Sequence, residues 1–290
     1  MGAIGARRVT PFNAYLRLAR ISNLPTVWTN VLAASVLSGG PVGSELAVVM
    51  LAVSLLYTAG MLLNDAFDQE IDAKERPTRP LPSRTVSSSG VWVSGFAMLA
   101  AGALLPFGLG IQAGIAALAL AGTILVYDAW HKGNTFAPLI MGLCRALVYV
   151  TTAAATGLAF SQPLIAASIS LLAYVAAITF VAKEESFDRV TSWWPVALLA
   201  LPLLRVLTTE PPTVLTALLA LFGAGVIASA LRLLSRRGPG DVGRAVSLLI
   251  AAIALFDGLN AAAAGNAYAA LICCGLFVLT ILLQRIIPGT

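Results

Sequence analysis

The sequence predicts an all-α fold, a polytopic integral membrane bundle of nine or ten transmembrane helices formed by a single domain over residues 1–290. Hydrophobic residues make up 59% of the chain and charged residues 11%, whereas a soluble domain carries about a quarter charged residues. The mean hydropathy is +0.89. Apolar stretches of about 18–25 residues, the length that crosses a hydrocarbon core of about 30 Å, recur along the chain. A soluble class of protein is therefore excluded.

Glycine, proline and charged residues interrupt these apolar stretches and set the limits of the predicted helices. The helices are predicted at 14–37, 45–66, 88–109, 112–130, 135–158, 163–187, 193–208, 213–234, 244–264 and 267–286. The seventh is short and contains Pro195 and Pro202. The count therefore stays open between nine and ten.

Lysine and arginine residues fall in alternate loops, which orients the bundle because positively charged loops stay cytoplasmic. They precede the first helix and follow the second, fourth, sixth and eighth. The prediction is a multi-pass protein of the inner (plasma) membrane, with its N-terminus in the cytoplasm. No Ala-x-Ala cleavage site follows Arg7 and Arg8, so the first segment is expected to remain in the membrane. The net charge of +5 is spread over these loops, and no nucleic-acid partner is expected.

An acidic motif follows the second predicted helix. Asp65, Asp68 and Asp72 are spaced by three and four residues, so they share one face if the helix continues that far. Unit charges about 4 Å apart repel by roughly 4 kcal/mol at an effective dielectric constant near 20. Such a cluster favours a bound cation, and oxygen ligands suit Mg²⁺. The alternative is a solvated loop whose acids pair with neighbouring bases such as Arg76.

A second acidic pair, Glu184 and Asp188, closes the sixth predicted helix. The ends of the second, fourth and sixth helices are separated by even numbers of crossings, so both acidic motifs face the same side of the membrane. Facing acidic motifs with basic residues between them suit a diphosphate bridged by Mg²⁺. The apolar bundle would hold a hydrocarbon tail, so the predicted ligand is a prenyl diphosphate.

The string from Asn64 to Leu81, Asn-Asp-x-x-Asp-x-x-x-Asp-x-x-x-Arg-x-x-Arg-Pro-Leu, resembles the first motif of the UbiA superfamily of membrane prenyltransferases. Glu184-x-x-x-Asp188 resembles the second motif, with glutamate in place of the usual aspartate. Tyr127 and Lys132 resemble the tyrosine and lysine of the loop between the motifs, although the spacing here is one residue longer.

The resemblance implies a nine-helix fold and Mg²⁺-dependent transfer of a prenyl group from a polyprenyl diphosphate, through an allylic carbocation, to a small hydroxylated acceptor. The implied metal ligands are Asn64, Asp65, Asp68, Asp72, Glu184 and Asp188. The five acids and Lys132 are the implied catalytic residues, and Arg76, Arg79 and Lys132 are expected to help the diphosphate depart.

The stretch from Tyr127 to Asn134 resembles a bacterial subgroup called EboC-like, which makes a cyclitol acceptor as plausible as an aromatic one such as 4-hydroxybenzoate. His131 lies beside Asp128 and is either a base or acceptor contact, or one polar residue of a wet loop. The complete set of expected substrate-binding residues is Asn23, Asn64, Arg76, Arg79, Tyr127, His131, Lys132 and Arg145.

Three further interpretations rest on polar residues within predicted helices. Arg145 is costly in lipid and is expected to face the cavity. Asn23 and Asn30 are seven residues apart on the predicted first helix, so they either line an acceptor pocket or bond between helices. Asp257 and Asn260 are expected to form a buried polar pair.

Two other functions stay open. Polytopic bundles are often transporters, but transporters place ionisable residues near the membrane midplane, whereas these acids gather at one face. A noncatalytic relative that binds a prenyl lipid is the second alternative, motivated by the substitution at Glu184.

Overall fold

The computed structural model describes residues 10–40, 43–157, 160–183, 194–208, 212–236 and 238–288. Within these ranges the chain forms eleven α-helices. They are α1 (Pro11–Leu18), α2 (Pro25–Leu37), α3 (Ser44–Phe67), α4 (Gln69–Glu75), α5 (Ser88–Leu104), α6 (Ile111–Trp130), α7 (Ala137–Ala155), α8 (Gln162–Lys183), α9 (Val214–Arg236), α10 (Asp241–Ala263) and α11 (Ala267–Ile286).

The predicted helix limits are confirmed to within a few residues for α3 and for α5 to α11, whereas α4 was not predicted. A 3₁₀ segment, Leu105–Leu109, extends α5, and the predicted short seventh helix is a 3₁₀ segment, Trp194–Thr208, that contains Pro202. The end of the predicted sixth helix, from residue 184 to 187, lies outside the described residues. In the described part of the chain, eight helices are long and apolar enough to cross a membrane: α3, α5 with its 3₁₀ extension, and α6 to α11.

The first predicted helix, 14–37, is wrong as a continuous element. Arg20 adopts the left-handed backbone conformation, with φ 43°, and a 3₁₀ turn, Ile21–Asn23, leads into Pro25 at the start of α2. A proline inside a helix removes one backbone hydrogen bond and its ring clashes with the carbonyl one turn earlier. The chain therefore stops α1 before this position and begins a new helix at Pro25.

The bundle is organised around α10, which packs against α2, α8, α9 and α11. Its residues from Ala251 to Ala262 are buried without interruption, as expected for a helix surrounded by protein. Large apolar side chains cover the outside of the bundle, among them Ile111 on α6 and Leu221 on α9. These features describe a multi-pass membrane protein whose polar groups lie inside or at the ends.

Gly142 allows α7 and α8 to pack closely against each other. A Cβ atom added at Gly142 of α7 would lie 2.3 Å from the carbonyl oxygen of Leu172 in α8. A backbone oxygen cannot rotate away, so any side chain here separates the two helices. Small residues serve the same purpose at many helix contacts in membranes.

We expect Gly142→Ala to lower the unfolding free energy by about 1–3 kcal/mol, the usual cost of overpacking. The measurement is the thermal unfolding midpoint of the purified protein in detergent. Gly122→Ala on α6 is the matched control, because a Cβ there would have nothing within 4 Å, and alanine is the better helix former. Equal midpoints for the two variants would contradict the close contact between α7 and α8.

Candidate active site

A cavity of about 1210 Å³ opens inside the bundle between α2, α3, α6, α7, α8 and α10. Its walls are largely apolar, with side chains such as Val53, Leu56, Ile124, Ile178 and Ile253. Polar and charged side chains gather at the end where α3 and α6 finish. The cavity therefore combines a charged mouth with an apolar interior.

Asp65 and Asp72 of the first motif are buried at this mouth and paired with arginine. Arg79 Nη1 donates to Asp72 Oδ2 at 2.6 Å and lies 3.5 Å from Asp65 Oδ1. Arg20 Nη2 lies 3.3 Å from the same Asp65 oxygen. Asp65 is 6% exposed and Asp72 is 4% exposed, so these pairs are shielded from water. This burial contradicts the solvated part of the alternative, but the pairing with Arg79, one of its neighbouring bases, agrees with it.

Asp68 is held by the loop that follows α6. His131 Nε2 and Lys132 Nζ lie 3.3 Å and 3.4 Å from Asp68 Oδ2. Burial opposes ionisation of Asp68, but the hydrogen bond and charge of His131, followed by those of Lys132, outweigh it and hold the pKa of Asp68 below its ordinary value. Asp68 is therefore ionised at neutral pH.

The first acidic motif spans a short break between α3 and α4. α3 ends at Phe67, and Asp68 joins it to α4. The amide of Asp68 donates to the carbonyl of Asn64 at 3.0 Å, and that of Asp72 donates to the carbonyl of Asp68 at 2.9 Å. Helical spacing thus persists to Asp72, but the carboxylates do not converge. Asp65 and Asp72 share Arg79, whereas Asp68 contacts His131 and Lys132.

In the part of the chain that is described, no three His, Cys, Asp or Glu side chains are close enough together to hold a metal ion by themselves. The basic side chains that line the cavity explain this. Arg20, Arg79, His131 and Lys132 face the cavity and cover the aspartates with which they pair. The predicted acids of the second motif, Glu184 and Asp188, lie outside the described residues.

The end of α8, which directly precedes the second motif, does reach this mouth. Lys183, its last residue, lines the cavity. Its Nζ donates to the carbonyl oxygen of Asn134 at 2.8 Å. The predicted arrangement, with the ends of the second, fourth and sixth spans at one side, is thereby confirmed as far as Lys183.

Asn64 is fixed by a residue that was not among the predicted site residues. Its Nδ2 donates to Asp128 Oδ1 at 3.2 Å, which leaves the amide oxygen of Asn64 as the atom able to bind a cation. Asp128 is 4% exposed, and its other oxygen, Oδ2, has no hydrogen-bond partner among the described residues. A buried carboxyl oxygen without a partner is costly, and Asp128 also lines the cavity.

A model of the UbiA prenyltransferase family matches residues 23–192, more than half of the chain. The chain belongs to the UbiA prenyltransferase family. The match begins at the 3₁₀ turn before α2 and includes both acidic motifs, which agrees with the resemblance found in the sequence.

Comparison with individual proteins gives the extent of the likeness to other UbiA-family members. The digeranylgeranylglyceryl phosphate synthase of Methanothrix thermoacetophila is 35% identical over 134 residues, 46% of this chain and 48% of that protein. The chain thus spans about half the length of the curated relatives it matches.

Two solved structures confirm the UbiA fold. An apo structure of a UbiA homolog from Aeropyrum pernix K1 has a TM-score of 0.64 and 20% identity, covering 82% of this chain and 94% of that one. A UbiA homolog from Archaeoglobus fulgidus bound to GPP and Mg²⁺ has a TM-score of 0.53 and 15% identity, covering 87% of this chain and 99% of that one.

All eight predicted substrate-binding residues of this UbiA-family chain line the same cavity. They are Asn23, Asn64, Arg76, Arg79, Tyr127, His131, Lys132 and Arg145. Tyr127 stacks on His131, with ring centroids 5.0 Å apart, so the tyrosine positions the imidazole that holds Asp68. The structure therefore brings together residues that lie far apart in the sequence.

Arg145 lies deeper in the cavity than the mouth residues, in a buried polar network. Its Nη1 and Nη2 donate to Asn30 Oδ1 at 2.9 Å and to Thr26 Oγ1 at 3.1 Å. Asn30 Nδ2 in turn donates to Asp257 Oδ2 at 2.8 Å, and the hydroxyl of Tyr149 donates to Asp257 Oδ1. Asp257 therefore bonds across the bundle to α2 and α7, not to its expected partner in α10.

Sequence reasoning missed Arg20 and Tyr57. Arg20 lies at the break between α1 and α2, and the Tyr57 hydroxyl donates to its carbonyl oxygen at 3.1 Å. Left-handed backbone geometry at a residue other than glycine costs energy and is concentrated at functional sites. Pro25, with an arginine a few residues before it, was the only signal in the sequence for this turn.

Proposed function

We propose that this chain is a Mg²⁺-dependent membrane prenyltransferase, which transfers a prenyl group from a polyprenyl diphosphate to a small hydroxylated acceptor. The observation that carries the proposal is the cavity itself. Its mouth holds buried aspartates and six basic side chains, and its interior is apolar. The basic residues are Arg20, Arg76, Arg79, His131, Lys132 and Lys183. A diphosphate with a hydrocarbon tail is a ligand that satisfies both parts.

The residues at the mouth fit magnesium chemically. Carboxylate oxygens of Asp65, Asp68 and Asp72 and the amide oxygen of Asn64 are donors of the kind that Mg²⁺ prefers, although the three carboxylates are not gathered around one point in this structure. In this structure the aspartates pair with basic side chains. The UbiA homolog described with GPP and Mg²⁺ supports this choice of ion. Glu184 and Asp188 are the proposed ligands from the second motif.

When bound, magnesium supplies the positive charge that lets carboxylates and a diphosphate share one site. Arg76, Arg79 and Lys132 are proposed to bind the outer phosphate oxygens, Arg as a planar fork and Lys as a point charge. These cations stabilise the negative charge that develops on the leaving diphosphate.

The reaction breaks the bond between the allylic carbon and the diphosphate oxygen, and the diphosphate departs with the electron pair. An electron pair of the acceptor then forms the new bond to the allylic carbocation, and the acceptor loses a proton. Apolar walls exclude water, which would otherwise capture the cation. His131 keeps Asp68 in place while the charges of the site change.

We propose the chemical class of the acceptor, which is a hydroxylated small molecule or lipid. An aromatic acid such as 4-hydroxybenzoate and a cyclitol are two candidates, the second resting on the resemblance to the EboC-like subgroup. A glyceryl phosphate carrying a prenyl chain is a third, supported by the names of the curated relatives. We also propose that the mouth faces the cytoplasm, since the basic loops lie at its side of the bundle.

The deciding experiment incubates the purified protein with labelled geranylgeranyl or farnesyl diphosphate, Mg²⁺ and these acceptors in turn. We expect a prenylated product that disappears when EDTA removes the metal and returns when Mg²⁺ is restored. Diphosphate binding that requires Mg²⁺, without transfer to any acceptor, would favour a noncatalytic prenyl-lipid-binding relative. Failure to bind any prenyl diphosphate would overturn both readings and leave transport as the alternative.

A further inference from the structure

Arg145 carries a positive charge into the apolar part of the cavity. It lies on α7 about two helical turns, or roughly 12 Å at the rise of an α-helix, beyond Ala137 at the start of that helix. Its side chain is half-buried because it faces the cavity. Arginine at this depth is costly and marks a functional position in membrane proteins.

The partners of Arg145 are neutral. Asn30 and Thr26 accept one hydrogen bond each, and the guanidinium carbon lies 5.8 Å from the centre of the Tyr57 ring. Across the described ranges, no carboxylate lies within 4 Å of Arg145, although seven other ion-pair contacts are present. A guanidinium has five N–H donors, so these two bonds leave donors available for a ligand.

Asp257 orients Asn30 and, through Asn30, the guanidinium of Arg145. Because Asn30 donates its amide nitrogen to Asp257, its amide oxygen must point to Arg145. The carboxylate of Asp257, whose negative charge balances the guanidinium, is separated from it by Asn30 and lies on the side remote from the cavity. The guanidinium is therefore oriented, but it makes no direct contact with a carboxylate of the described residues. Such a guanidinium suits reversible binding of an anionic ligand.

We infer that Arg145 binds an anionic group, carboxylate or phosphate, on the acceptor. This inference rests on the proposed function and narrows it, since an acceptor without an anionic group leaves Arg145 unpaired. The diphosphate is the less suitable partner, because Arg20, Arg76, Arg79 and Lys132 already surround its proposed position at the mouth. Arg145 thus acts as a specificity-determining residue, with Asn30 and Asp257 as positioning residues.

The first arm of the test uses the wild-type protein with two pairs of acceptors, each differing in one charge. The pairs are 4-hydroxybenzoate with 4-hydroxybenzamide, and a prenylated glyceryl phosphate with its dephosphorylated alcohol. We expect kcat/KM to favour the anionic member of one pair by about 10- to 100-fold, as for hydrogen bonds to a charged group. The pair that shows the preference identifies carboxylate or phosphate. Equal rates within both pairs would overturn the inference while leaving prenyl transfer intact.

The second arm replaces the residue. In Arg145→Gln we expect the preference to fall to within about threefold, through a raised KM for the anionic acceptor, with KM for the diphosphate changed by less than about threefold. Arg145→Lys should keep part of the preference because it keeps the charge. Arg232→Gln, at an exposed arginine of α9, is the control and should behave as wild type. An equal loss with charged and neutral acceptors, or a raised KM for the diphosphate, would contradict the assignment.

Direct binding separates failure of this inference from failure of the proposed function. If no acceptor is prenylated, labelled 4-hydroxybenzoate and prenylated glyceryl phosphate are titrated against wild type and Arg145→Gln. Binding of either probe weakened by about tenfold or more in the variant supports an anion site without transfer. Equal binding, or no binding to wild type, overturns it. If Arg145→Gln fails to fold in detergent, Arg145→Lys and the wild-type preference decide.

Discussion

Asp68→Asn is expected to lower the rate of prenyl transfer by about 100- to 1000-fold, the usual effect of removing one preorganised electrostatic group from an active site. Asparagine has nearly the same size and keeps an oxygen that can accept from His131 and Lys132, which lie 3.3 Å and 3.4 Å from Asp68 Oδ2. The variant therefore loses a charge without losing its packing. The measurement is the initial rate with labelled geranylgeranyl diphosphate at saturating Mg²⁺.

Glu70→Gln is the matched control for this prediction, because Glu70 belongs to the same acidic stretch but is exposed. It should keep the wild-type rate within about twofold, since isolated surface charges contribute little. The thermal midpoints of both variants should stay close to that of wild type. Comparable rates for Asp68→Asn and Glu70→Gln would show that the motif acts as a charged surface and not as part of the active site.

The helices of this chain were predictable because their limits depend on local properties. Long apolar stretches interrupted by glycine, proline and charge give closely similar helix limits in sequence and structure for α3 and for α5 to α11. The break before α2 was also local, and Pro25 marked it. The apolar stretch 14–37 is long enough for a single helix, and hydrophobicity alone does not register the proline that divides it.

The sequence predicted which residues would gather at one end of the bundle, but not how they pair. Topology alone places Asn64, Arg79 and Lys132 at one end of the bundle, and all three line the cavity. Which cation covers which aspartate depends on contacts between residues far apart in the chain. Arg20, 45 residues from Asp65, carries no signal in the sequence that links the two.

The hydrogen-bond partners of Asp257 also could not be predicted from the sequence. Spacing within one helix suggested a pair with Asn260, yet Asp257 accepts from Asn30 and Tyr149 of two other helices. In a bundle, a polar residue bonds to whichever helix faces it, and a single sequence does not specify the rotation of each helix. This is why Arg145 was correctly expected to face the cavity while its partners remained unknown.

Asp257→Leu is expected to reduce the unfolding free energy by about 3–5 kcal/mol, because it removes one partner from a buried charged network. Asp257 is 1% exposed, and Asn30 and Tyr149 are fully buried. Leucine leaves two buried donors without an acceptor and Arg145 without its balancing carboxylate. Leu255→Met, a volume-conserving change on the same helix, should cost less than about 1.5 kcal/mol. The measurement is unfolding in detergent, by heat and by denaturant.

A double variant separates loss of charge balance from loss of packing. If Asp257 chiefly balances Arg145, then Asp257→Leu combined with Arg145→Met should be more stable than Asp257→Leu alone, since a buried pair replaced by apolar residues often costs little. The coupling between two positions that share Asn30 should exceed about 0.5 kcal/mol. Strictly additive losses would show that the two residues act independently. In that case Asn30 does not couple the charge of Arg145 to that of Asp257. Only a ligand would then supply the negative charge that balances Arg145.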